Sequence, residues 1–238
     1  MAAVVDAVGQ PPSAQHAPAA PASVDAYAAI ESQYVYRGVA LRDEPTPSFA
    51  LSAGTASGVF ADAWASYVDG ESTTAYGGAH NNEWNIDLSA GYGARLADRW
   101  QWALALARVI DVGNGDSASR DYSEWRGNLF YRDIVRAQLA YSSDYEQRGW
   151  SAWNAELAGT YRLADWLAAE WGLGHAHGAG REDNDYGYGW LGVSGTWLGT
   201  HCDARWIDSS HGARNVFDTD RAGSRFVLSL SWSLRVLP

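Results

Sequence analysis

The chain has 238 residues and a formal net charge of −11, with 13 Trp, 13 Tyr and 25 Gly against one Met, one Cys and seven Pro; it contains no lysine, so all 17 basic residues are arginine. This acidic balance, without any arginine cluster, excludes nucleic-acid binding, which needs grouped cations to displace counterions, and the single Cys202 excludes an internal disulfide framework. No run of about 18 apolar residues exists, so no membrane helix is expected, but a barrel strand of about 10 residues with alternate apolar positions would pass unseen in the mean hydropathy of −0.30.

Residues 1–24 are rich in Ala and Pro, have no period and carry too little large apolar surface to offset the entropy of ordering, so they read as a disordered, periplasmic arm. Met1–Asp6 shows no basic segment followed by a sustained apolar core, so the expectation is either an export signal already removed or a chain that is not exported. From Asp25 onward the hydrophobic period is close to two. Trp84, Ile86, Leu88, Ala90, Tyr92 and Ala94 alternate with Glu83, Asn85, Asp87, Ser89, Gly91 and Gly93. Residues 135–145 set Val135, Ala137, Leu139 and Tyr141 against Arg136, Gln138, Ala140 and Ser142. Residues 153–162 oppose Trp153, Ala155, Leu157 and Tyr161 to Asn154, Glu156, Thr160 and Arg162. At the end, Phe226, Leu228, Leu230, Trp232 and Leu234 oppose Ser229, Ser231, Ser233 and Arg235. Residues 59–68 break the pattern, because Phe60 and Trp64 share a face with Asp62 and Ser66.

Connections alternate short and long. Short ones are expected at 56–58, 95–99, 132–133, 163–165 and 198–199, and long ones near 38–47, 69–82, 111–120, 144–149, 177–186 and 209–222. Five short and six long connections join twelve strands into an all-β, antiparallel, up-and-down transmembrane barrel over residues 25–238, with the short turns and both termini periplasmic. Aromatic residues fall into two belts. Tyr92, Trp100, Trp102, Tyr131, Tyr161, Trp166 and Trp197 flank the short turns, and Trp84, Trp125, Tyr145, Trp150, Trp153, Tyr186, Tyr188, Trp190 and Trp206 flank the long loops, as expected of rings at two headgroup levels. A soluble barrel would reverse the pattern, with apolar side chains inside and charges outside.

Several short segments, taken in order, carry a family resemblance. They are Tyr34-Val-Tyr-Arg-Gly38 at the end of the first strand, Asn82-Glu-Trp-Asn-Ile-Asp87 before Ala90-Gly-Tyr92, Asp121-Tyr-Ser-Glu-Trp125 with Leu129-Phe-Tyr131, Tyr141-Ser-Ser-Asp-Tyr145, and Trp190-Leu-Gly-Val-Ser194. Over residues 25–236 the chain resembles the TorF-type porins, also called the Gcw_chp family. It departs from them in lacking a Tyr-x-Tyr-Pro-type segment around Leu106–Asp111 and a terminal aromatic. The resemblance implies a Gram-negative outer-membrane location and a pore, and supplies no catalytic residue.

Glu31, Arg37, Glu83, Asp87, Glu124, Arg126, Arg136, Glu156, Arg162, Glu170, Asp203, Arg205 and Arg235 fall on expected lumen positions. They form either a charged wall that screens solutes or a plug of mutually satisfied ion pairs. Twelve strands lie between the ~8 that fill with side chains and the ~16 that leave an open channel. Adding Asp144, eight acids face six bases, and Asp62 would make nine, so a modest cation preference is expected. His175 and His177 near Glu182, Asp183 and Asp185 read as a solvated rim rather than a metal site, and no cofactor is implied. Ser209-Ser210-His211 with Asn215 and Asp218 is the one constellation for a lipid-modifying enzyme, and it reads first as a loop. The expected contacts are outer-membrane lipid, lipopolysaccharide and small polar solutes, without an assigned oligomeric state. A non-conducting structural or adhesive barrel is the alternative.

Overall fold

The computed structural model describes residues 22–68, 81–114, 121–132, 134–178, 185–217 and 221–237. The strands are β1 (Ser23–Glu31), β2 (Tyr34–Tyr36), β3 (Val39–Arg42), β4 (Thr46–Gly54), β5 (Val59–Tyr67), β6 (Asn81–Ala97) and β7 (Trp100–Asn114). They continue as β8 (Tyr122–Tyr131), β9 (Val135–Ser142), β10 (Ala152–Ala164), β11 (Leu167–Gly178), β12 (Tyr186–Trp197), β13 (Thr200–Ser209) and β14 (Arg225–Leu237). Twelve of them close into one antiparallel barrel in the order β1-β14-β13-β12-β11-β10-β9-β8-β7-β6-β5-β4. Closure between β1 and β14 pairs Ala28 with Trp232 and Ile30 with Leu230, leaving the barrel without an open sheet edge.

The alternation read from sequence sets which face is which. Phe49, Leu51, Leu88, Leu106, Leu139, Leu173, Leu191 and Leu228 stand exposed on the outside, each between inward neighbours that are buried or nearly so. In water this surface would be a single apolar band far larger than a soluble monomer tolerates. Trp100, Tyr161, Trp166 and Trp197 ring the short-turn end, and Trp125, Trp153 and Trp206 the other, all exposed. On β5 the interior takes Phe60, Asp62, Trp64 and Ser66, with Val59 outside.

Boundaries differ from the sequence reading where turns are tighter than their composition suggests. Arg95 still lies in β6, and the turn is Asp98-Arg99; likewise Leu163 and Ala164 end β10 and the turn is Asp165-Trp166. Leu198 and Gly199, both at positive φ, close the β12–β13 hairpin in two residues. β1 starts at Ser23, inside the stretch expected as the arm, of which residues 1–21 lie outside the described residues. Most of the expected loops 69–82, 111–120 and 177–186 also lie outside them.

The principal correction concerns residues 32–45. The segment Tyr34–Gly38 does not end the first strand: β1 stops at Glu31, and β2 and β3 form a separate two-stranded hairpin. Tyr36 pairs with Val39 around Arg37-Gly38, both at positive φ, which makes a two-residue turn of the type that matches strand twist. This hairpin is tucked into the barrel. Val35, Val39 and Ala40 are each about 1% exposed and pack on Tyr186, Tyr188 and Trp190 of β12, Ile207 of β13, Val227 of β14 and Ala213 of the short helix α1 (Gly212–Phe217). On its other side Tyr34 packs against Trp64, with ring centroids 5.4 Å apart. The expected outer belt therefore loses Tyr145, Tyr186, Tyr188 and Trp190, which point inward and are buried. Parity explains it: Tyr186, Tyr188 and Trp190 share a face with Ser194, and the hairpin gives that face something apolar to cover.

Candidate functional site: the charged interior and its hairpin

Nine expected lumen residues have buried side chains on the inner wall: Glu31, Asp87, Glu124, Arg126, Arg136, Glu156, Glu170, Asp203 and Arg205. Eight of them fall into three clusters, and Glu31 lies near Arg205 and Asp203. In the first, Arg126 on β8 donates through Nε to Glu124 Oε1 at 2.8 Å and through a terminal nitrogen to Asp87 Oδ2 on β6 at 2.5 Å. In the second, Arg205 on β13 donates through Nε to Asp203 Oδ2 and through a terminal nitrogen to Glu170 Oε2 on β11, both at 2.9 Å. Both repeat one arrangement, an acid and an arginine two apart on one strand and a second acid two strands away.

The strand between must offer no bulk where the arginine crosses it. On β7 the register partners of Arg126 and Glu124 are Ala105 and Ala107. On β12 the partner of both Glu170 and Arg205 is Gly192, where a Cβ would lie 2.6 Å from Arg205 Cγ. The third cluster works the same way. Tyr188 passes over Gly174 of β11, its register partner, and its hydroxyl donates to Glu156 Oε2 at 3.0 Å, while Arg136 holds Glu156 Oε1 at 2.5 Å. Asn154 Nδ2 donates to the same hydroxyl at 2.9 Å. Small residues on the intervening strands thus let long polar side chains link across the wall, where each arginine satisfies two carboxylates or one carboxylate is shared.

Four positions depart from the expectation. Arg37 sits at the tip of the β2–β3 hairpin, not on the wall, and its guanidinium donates to Glu124 Oε2 at 2.7 Å. Arg162 is exposed beside the β10–β11 turn and bonds the Asp165 carbonyl, while Arg235 is 61% exposed and pairs with Asp25 at 3.1 Å. Both have inward parity but lie past the last enclosed level, at the rim. Asp144, counted with the lumen acids, is exposed and accepts a bond from the Gly149 N–H at 2.8 Å. The side chain of Glu83 lies outside the described residues. Sequence reasoning left open Asp62, which is buried and accepts from Ser89 Oγ at 3.3 Å.

Around the ring, β8 is five strands from β1 in one direction and seven in the other, so the hairpin, rooted after β1, brings Arg37 to a strand on the far side of the ring. At the root, Arg225 donates to Gln33 Oε1 at 3.0 Å and Asp43 Oδ1 at 2.9 Å, and Ala40 N donates to the Arg221 carbonyl. Gly38 has no room for a side chain: a Cβ there would stand 2.5 Å from Tyr188 Cβ, at a φ of +80° that L-residues avoid. Gly38→Val is expected to unseat the tip while the barrel survives. Trypsin or another protease acting at Arg37 from the long-loop side, with intact heat-modifiable migration, would report it; an uncut hairpin would show that the wall relaxes instead.

The other constellations resolve simply. Ser209 Oγ accepts from the Gly223 N–H at 2.8 Å and Ser210 Oγ from the Gly187 N–H at 3.1 Å, so both hydroxyls serve backbone amides rather than His211. Asp218 and the Asn215 side chain lie outside the described residues. His175 and His177 flank Trp153 near the long-loop end, with His177 Nδ1 2.5 Å from Asp185 Oδ1 and His175 Nε2 3.9 Å from Oδ2; among the described residues no group of three or more His, Cys, Asp or Glu could hold a metal ion.

A family model described as a bacterial protein of unknown function, Gcw_chp, matches residues 15–234. The chain belongs to this family. No curated protein matches it. Among solved structures it is similar to the KdgM porin, at 11% identity over 89% of this chain and 99% of that one, with a TM-score of 0.52. The same porin in complex with disordered oligogalacturonate gives 10%, 89%, 99% and 0.51, and the NanC porin 10%, 90%, 100% and 0.51. At these identities the likeness is one of fold, a closed antiparallel β-barrel shared by this Gcw_chp chain and twelve-stranded in it.

Proposed function

We propose that the chain is an outer-membrane pore for small polar solutes or ions, constricted by residues 32–45, and that the TorF-type reading of its family applies. The supporting observation is the inversion of polarity: an apolar, aromatic-ringed outside encloses seven buried carboxylates, Glu31, Asp62, Asp87, Glu124, Glu156, Glu170 and Asp203. Among the described residues, four guanidiniums pair with these carboxylates, those of Arg37, Arg126, Arg136 and Arg205. The acid excess favours cations modestly, because about 0.1 M salt screens charges more than about 10 Å apart. It also sets this chain apart in charge from what a polyanion such as the oligogalacturonate recorded with the KdgM porin would need.

The non-conducting reading is favoured by one observation, the low exposure of Arg205 and Glu124, 1% and 2%, which describes a filled interior at that level. A reversal potential measured across a salt gradient in a planar bilayer separates the two. The expected result is small conductance steps that reverse on the cation side. Silence from both the natural chain and a chain trimmed of its hairpin would establish the structural reading, and anion preference would remove the selectivity claim.

A further inference from the structure

The end of the Arg37 side chain occupies a built pocket. Its guanidinium lies 4.8 Å from the centroid of the Tyr36 ring and 2.7 Å from the Glu124 carboxylate, and Tyr122 and Tyr145 stand close enough to feel its charge. Tyr122 and Tyr145 are themselves in contact, with ring centroids 4.7 Å apart, and Trp150 backs Tyr145 at 5.7 Å. Burial holds the Tyr36 phenol up at about 12, so the hydroxyls around the guanidinium stay neutral and acceptor-capable. Burial opposes the charge on Arg37, and Glu124 more than offsets it, holding that guanidinium well above its ordinary value.

Two features mark the pocket as a site rather than a fastening. The hairpin does not depend on it. Val35, Val39 and Ala40 on the β12–β14 wall, Tyr34 on Trp64 and the Arg225–Asp43 pair hold the hairpin body without Arg37. And the fit is incomplete: Arg37 Nε is buried without a hydrogen-bond partner. Glu124, by contrast, would keep a cation after Arg37 left, since Arg126 still holds Oε1. The contents of the pocket can therefore be exchanged without leaving a buried charge unpaired.

We propose that Glu124, Tyr36, Tyr122 and Tyr145 form a binding site for small guanidinium-bearing cations on the permeation path, in which Arg37 is the resident occupant and gives way to a passing solute. A carboxylate with aromatic faces and neutral phenols is what recognises a planar, weakly hydrated cation, and the chain's own guanidinium already reads the pocket. The inference rests on the pore reading above for the words "permeation path" alone; the pocket stands independently of it. Exchange requires only a side-chain swing at the tip, because the gap between the hairpin and β8 is spanned by the Arg37 and Glu124 side chains.

The test empties the pocket without breaking the turn. Arg37 has φ +48°, and Asn tolerates such a conformation, so Arg37→Asn places an Asn-Gly pair in the same two-residue turn. Methylguanidinium binding to the detergent-solubilised full chain is measured by calorimetry, with heat-modifiable migration reporting folding. Arg37→Asn should bind methylguanidinium roughly tenfold or more tighter than the natural chain, and adding Glu124→Gln should remove that gain, about one charge-assisted hydrogen bond's worth. Methylammonium should bind more weakly than methylguanidinium. Equal binding by the natural chain, R37N and R37N/E124Q would overturn the site. Should Arg37→Asn fail to fold, Glu124→Gln alone provides the check by the same calorimetry: it should bind methylguanidinium about tenfold more weakly than the natural chain, and unchanged binding would overturn the site. Binding as expected with no current in any variant would remove the pore and leave the pocket.

Discussion

Replacing residues 33–44 with a short Gly-Ser link is expected to raise single-channel conductance by about tenfold or more, with the barrel intact. The geometry permits the cut, because Glu31 and Thr46 are register partners at the mouths of adjacent strands and a link of two to four residues suffices. What leaves with the hairpin is the only described chain that crosses the interior. What remains is a wall whose inward side is Ser, Ala and Gly on many levels, among them Ser48, Ser52, Ala103, Ala105, Ser194, Ser229 and Ser231. Glu124 keeps its bond to Arg126, which it then shares with Asp87, so this cluster is left with one carboxylate in excess. The bared surface is Tyr186, Tyr188, Trp190, Ile207 and Val227, at a cost of roughly 25 cal/mol per Å² of apolar area re-exposed to water. Recordings of the trimmed chain that match the natural one would mean that the clusters below the hairpin, not the hairpin, set the resistance.

Arg205→Met should carry the largest stability loss, about 3–5 kcal/mol, seen as a fall in the urea or thermal midpoint of the heat-modifiable form. Arg205 is 1% exposed and donates to both Glu170 and Asp203, with the buried Glu31 close by. Removing it leaves three carboxylates facing one another, and Glu31 Oε2 and Asp203 Oδ1 already lack hydrogen-bond partners. The companion change tests the cause. Arg205→Met together with Glu170→Gln and Asp203→Asn should recover most of the loss, since neutral amides remove the stranded charge. A negligible effect of Arg205→Met would show that water reaches these groups and screens them, the wet interior of an open pore.

The barrel was legible because its two physical requirements are written at every second residue. Leu139 and Tyr141 against Arg136 and Gln138, or Leu228 and Leu230 against Ser229 and Ser231, leave no choice of face once lipid is outside, and the β9 and β14 structures follow that split. Strand ends were less legible. Arg95 and Leu163 look like turn material by polarity or by flanking residues, whereas the ladder runs on until a two-residue turn is geometrically possible. The hairpin was not legible. Tyr34-Val35-Tyr36 is a sound strand signal, but nothing local distinguishes a strand in the wall from one laid inside it. The available clue was parity at β12, where Tyr186, Tyr188 and Trp190 occupy the inward face and demand an apolar partner. The ion clusters were legible as residues and not as pairs, because the linkages skip a strand and depend on Ala105, Ala107 and Gly192 being small.

The contacts that seat the hairpin also fix when it can be seated. Arg225 meets Asp43 and Gln33 across 182 and 192 residues of chain, and Val39 bridges to Ala222, so the insert has no root until nearly the whole polypeptide has been made. The ring, for its part, closes only when β14 meets β1. Loop-closure entropy penalises both events together, and contacts of such long sequence separation come late in folding. The hairpin must therefore be taken up as the last strands zip, before the enclosing wall can exclude it. A chain interrupted before Arg225 would present an open sheet with two unpaired edges and an unanchored, apolar hairpin, a species prone to pair with its own copies.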